Sequence, residues 1–102
     1  MPEFVTVASA QEFESGDRIV VEVNNHYIAV FKVSDNFYAI EDLCTHDDGP
    51  LAEGTLYGTV IECPRHGATF DVTNGKVLSF PAIKDVPAYE VRVMGDEVQI
   101  KV

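Results

Sequence analysis

The sequence predicts an all-β fold, an antiparallel sandwich or small barrel built as a single domain over residues 1–102. Short runs of apolar and β-branched residues recur along the whole chain, separated by Asn, Asp, Ser and Gly. One stretch, near the N-terminus, carries the spacing of a short helical turn. The length of 102 residues suffices for one modest core, small enough that a bound group would add materially to stability. No repeat, linker or low-complexity segment marks a second domain.

The elements follow in chain order. Ser9-Ala10-Gln11-Glu12 has capping-box spacing and predicts a short helical turn, broken by Ser15-Gly16-Asp17. Strands are expected at 18–23, 27–33, 37–41, 59–62, 69–71, 77–79, 89–93 and 97–101. Asn24-Asn25, Ser34-Asp35-Asn36, Thr73-Asn74-Gly75 and Met94-Gly95-Asp96 supply the side chains and glycines that tight turns need. Tyr27, Phe31, Phe37 and Tyr38 fall on these strands and are expected to pack the core. His26, beside a turn, is expected to be solvated or hydrogen-bonded.

Two cysteine/histidine pairs interrupt the β pattern. Cys44-Thr45-His46 and Cys63-Pro64-Arg65-His66 use both cysteines and two of the three histidines in the chain. Each pair offers one thiolate and one imidazole, so together they offer four ligand positions at two strand ends. Thiolate suits iron–sulfur chemistry, whereas imidazole suits iron, zinc or copper. A tetrahedral zinc site could use the same four atoms, although zinc spacing usually groups cysteines with cysteines and histidines with histidines. Here the two types are interleaved, as a binuclear centre reached by both loops requires. Gly49, Gly54 and Gly67 give these loops room for positive φ or close backbone approach, and Pro64 stiffens the second. Asp47 and Asp48 are expected on a solvated loop face, and Glu62 has no chemical role.

Cys-x-His followed by Cys-x-x-His is the ligand set of a Rieske [2Fe-2S] centre, in which two histidines replace two cysteines on one iron. The segments 44–54 and 63–71 resemble the two cluster loops of Rieske-type [2Fe-2S] ferredoxins, and almost the whole chain resembles the ferredoxin components of bacterial ring-hydroxylating dioxygenases. The resemblance implies a Rieske-type β domain holding one [2Fe-2S] cluster, with Cys44 and Cys63 on the inner iron and His46 and His66 on the outer one. It also implies that Phe80-Pro81-Ala82 forms a proline loop over the cluster. Rieske proteins of the cytochrome bc complexes are similar but carry an extra cysteine in each loop and a membrane anchor. Gly49 and Arg65 stand where those cysteines would align.

The function implied is one-electron transfer. Two thiolates balance the two positive charges of an oxidised core, so reduction takes the site from about neutral to about −1, at a higher potential than four thiolates would allow. High-potential relatives place serine and tyrosine two and four residues after the second ligand histidine, where hydroxyls donate to sulfur. Ala68 and Phe70 stand there instead, which predicts a potential near the low end of the Rieske range.

The resemblance further implies a flavin-containing NAD(P)H-dependent reductase as donor and a terminal oxygenase as acceptor. With His46 and His66 used, His26 alone cannot build the facial triad of an oxygenase iron site, and no glycine-rich nucleotide fingerprint appears. The expected protein is therefore not itself an enzyme. The net charge of −10 opposes binding to nucleic acid or anionic membranes and favours basic docking patches. No run approaches the roughly 20 apolar residues of a membrane span, and the start resembles no signal peptide. A cytoplasmic monomer is expected. The alternatives are a small Rieske-like subunit of a nitrite reductase or another redox system, and a zinc-binding interaction module.

Overall fold

In the computed structural model, which describes residues 3–14, 16–44, 49–65 and 67–102, the apolar run Ile28-Ala29-Val30-Phe31 lies fully buried at the centre. Among the described residues the strands are β1 (Phe4–Ser9), β2 (Arg18–Val23), β3 (His26–Val33), β4 (Asn36–Glu41), β5 (Thr55–Tyr57), β6 (Val60–Glu62), β7 (Thr69–Asp71), β8 (Val77–Ser79), β9 (Ala88–Tyr89), β10 (Val91–Met94) and β11 (Glu97–Lys101). They form antiparallel sheets in the orders β1-β11-β10, β2-β3-β4-β9 and β5-β6-β7-β8. The β2-β3-β4-β9 sheet is shared between two cores. Alternation along β3 sends Ile28 and Val30 into one with Phe13, Val98 and Ile100. Ala29 and Phe31 enter the other with Cys44, Cys63 and Phe70. Each fully buried Phe or Ile contributes roughly 1.5–3 kcal/mol.

The turn chemistry is as the sequence predicts. Asn24 and Asn25 both take positive φ, 52° and 67°, the pairing that a two-residue hairpin loop between Val23 and His26 requires. Ser9 caps a 3-10 turn over Ala10–Glu12 with a full capping box.

Several expectations change. The run 89–93 divides at Glu90, because β9 pairs with β4 while β10 pairs with β11. Strands β1 and β5 were not expected. The first exists through pairing with β11 at the opposite end of the chain, a non-local contact that no window of sequence displays. The second is a three-residue strand folded onto β6 through Gly58, whose φ is +58°. Tyr27 is 59% exposed rather than packed in the core, because it lies two residues past the Asn24-Asn25 turn, at the closed end of its hairpin. Phe31 is buried, and Phe37 and Tyr38 pack against the two cores from partly buried positions.

Candidate metal centre

The two cysteines leave the ends of strands that belong to different sheets. Cys44 follows β4 and opens the loop that leads to β5. Cys63 follows β6 directly, and β7 returns six residues later. Both side chains are buried, at 0% and 2% exposure, and share one apolar cluster with Leu51, Ile61, Ala68, Phe70 and Ala82. No disulfide joins them. Each loop is closed on its own backbone: Cys44 N–H donates to the Gly49 carbonyl at 2.7 Å, Cys63 N–H to the Ala68 carbonyl at 2.7 Å, and Gly67 N–H to the Cys63 carbonyl at 3.1 Å. Gly67 takes φ +80°, so glycine's freedom is used immediately after the second ligand motif. At Gly54 the requirement is close approach instead, since a Cβ there would overlap the backbone carbonyl of Glu62. That contact brings the end of the first loop against the residue preceding Cys63.

His46 and His66 lie outside the described residues, as do Asp47 and Asp48. Among the described residues no three His, Cys, Asp or Glu side chains converge. The donor set nevertheless fits a metal group. One buried cysteine can be simple packing, but two, one in each of two loops brought into the same core and each followed within three residues by a histidine in sequence, supply soft ligands where an iron–sulfur group needs them.

Two features were missed in the sequence. Asp42, at the strand end before Cys44, accepts two backbone N–H bonds through Oδ1, from Leu51 at 2.8 Å and Ala52 at 2.7 Å. Glu41 Oε1 lies 2.8 Å from His26 Nδ1 and accepts the Tyr89 hydroxyl at 3.0 Å. Burial first, then the Glu41 hydrogen bond and charge, push the Tyr89 phenol up to about 12. A polar residue at a strand end was the available signal for Asp42; its partners are nine and ten residues away, so its role is set by the loop's path. Of the proline segment, Ala82 is buried with the cysteines while Phe80 is 80% exposed.

The Rieske [2Fe-2S] domain family matches residues 3–90. The chain belongs to that family. It is 42% identical over 98 residues to Ferredoxin CarAc of Metapseudomonas resinovorans, covering 95% of this chain and 92% of that protein. It is 37% identical over 98 residues to the ferredoxin component of the naphthalene 1,2-dioxygenase/salicylate 5-hydroxylase systems of Ralstonia sp, covering 96% and 94%. Among solved structures it is similar to a chain in a complex of reduced oxygenase and oxidized ferredoxin in carbazole 1,9a-dioxygenase, with a TM-score of 0.91, 40% identity and coverage of 96% and 92%. The all-β expectation holds. This Rieske chain is an electron carrier with one [2Fe-2S] cluster rather than a catalytic enzyme. No helix among the described residues is long and apolar enough to cross a membrane.

Proposed function

We propose that this chain, as a single domain and a cytoplasmic monomer, carries one electron at a time from a flavin-containing NAD(P)H-dependent reductase to a terminal ring-hydroxylating oxygenase. Cys44 and Cys63 hold the inner iron of its cluster, and His46 and His66 the outer one. The observation that carries this reading is the pair of buried cysteines in one core, on two loops whose sequences supply a histidine beside each. Similarity over nearly the whole chain to the ferredoxin component of naphthalene 1,2-dioxygenase/salicylate 5-hydroxylase systems, at 37% identity, and to a chain of the carbazole 1,9a-dioxygenase oxygenase–ferredoxin complex, at 40%, supports the oxygenase as acceptor.

When bound, the cluster accepts and returns a single electron. The chain's own contribution is to keep water from the thiolates, since both cysteines and Ala68 and Phe70 beside them are buried, and to fix the loops through the backbone bonds described above. The exposed Phe80 and Ile83 border an apolar groove with Leu78 and Ala82. Ala82 continues into the cysteine-bearing core, which supports oxygenase docking at this end. The charge of −10 supports basic complementary surfaces on both partners.

The test is spectroscopic. Purified protein should be brown and, once reduced, give a rhombic electron paramagnetic resonance signal, which Cys44→Ala and Cys63→Ala should both abolish. It should also support turnover when combined with a flavin reductase and a ring-hydroxylating oxygenase. A colourless, zinc-containing protein, or an unaltered signal from either alanine variant, would overturn the assignment.

A further inference from the structure

Asp42, immediately after β4, is the one carboxylate among the described residues shown accepting backbone bonds from the far side of the first cluster loop. Its own N–H donates to the Tyr27 carbonyl at 2.8 Å, which anchors its backbone to β3. Its Oδ1 then accepts from Leu51 and Ala52 across the loop. The loop is thereby closed from both ends, with Cys44 two residues past the anchor and Leu51 fully buried at the far side. The linkage continues. The Leu51 carbonyl accepts the Gly54 N–H at 2.9 Å, and Gly54 packs on the Glu62 carbonyl, immediately before Cys63. One oxygen thus stands at the head of a chain of contacts that relates one cysteine to the other.

Resting on the Rieske reading, we propose that Asp42 is a positioning residue for the cluster, clamping the first loop and, through its negative charge, holding the reduction potential down. The clamp follows from satisfaction: two partly buried N–H groups have this one acceptor, and leaving them without it costs their desolvation. The charge follows from Coulomb's law, since a carboxylate two residues from a ligand opposes the arrival of an electron. Asparagine separates the two roles, because its amide oxygen can accept the same bonds without the charge.

The experiment compares the holoprotein with Asp42→Asn and Asp42→Ala by iron and sulfide content, paramagnetic resonance, voltammetry and amide exchange at Leu51 and Ala52. Asp42→Asn should keep wild-type cluster content and rhombic signal while its one-electron equilibrium shifts severalfold toward the reduced form, where tenfold would read as about 59 mV. Asp42→Ala should lose cluster and exchange the two amides faster. Asp42→Ala with wild-type cluster content and exchange overturns the clamp, and an unshifted potential in Asp42→Asn overturns the charge role. Cluster loss in Asp42→Asn equal to that of alanine overturns the division between them. Wild-type protein without the rhombic signal would defeat the Rieske reading instead, and the exchange measurement would still decide the clamp.

Discussion

The two cores are built on opposite plans. The distal core, between the middle sheet and the β1-β11-β10 sheet, is filled by Phe13, Ile28, Val30, Val98 and Ile100, and strands such as β3 and β11 run eight and five residues. The cluster-side core gathers four alanines and both cysteines with its larger side chains, under strands β5 to β8 of three residues each. Three-residue strands make few ladder hydrogen bonds, so their mutual placement rests on the loops that join them. The distal core is held by long paired strands, whereas the cluster-side half, although it holds most of the largest fully buried side chains, is tied together by loop hydrogen bonds and by the bound cluster.

Removing iron by chelation should break this comparison most sharply. Amide exchange across β5 to β8 should quicken by about tenfold or more, while β3 and β11 keep most of their protection. Equal loosening of both halves would refute the division. Ile100→Ala is the converse: it should cost about 2–5 kcal/mol in denaturant unfolding, yet leave the cluster's potential and spectrum unchanged. A shifted potential would show that the cores are coupled.

Within the cluster-side core, Ala68 and Phe70 are both fully buried and offer no hydroxyl. Ala68→Ser and Phe70→Tyr should each raise the potential by roughly 40 mV if the new donor is worth ~1 kcal/mol more to the reduced cluster. Voltammetry on each variant and the double variant checks this, and unchanged potentials with the hydroxyls bonded to sulfur would mean another feature sets the value.

The smallest effect concerns Tyr89, outside both cores' interiors. Its folded-state value of about 12 lies above the ordinary 10.0, so its contribution to stability is present below pH 10 and is lost as pH rises toward 12. Glu41→Gln removes the charge but not the burial that is the largest cause. The phenolate absorbance midpoint, isolated by difference against Tyr89→Phe, should fall yet stay above 10.

The Rieske resemblance, the β class, the capping box at Ser9 and the Asn24-Asn25 turn were all legible along the chain, because each depends on residues within a few positions of one another. What the tertiary structure decided is of the other kind. The pairing of β1 with β11 joins the two ends of the sequence, Glu90 divides one apolar run between two sheets, and Gly54 is required by a carbonyl eight residues away. Asp42 carries no motif at all, and its partners are known only once the loop has folded back over it. Local spacing can mark a family's motif; the position of one loop against another depends on backbone groups that every residue shares, and so leaves almost no mark on residue type.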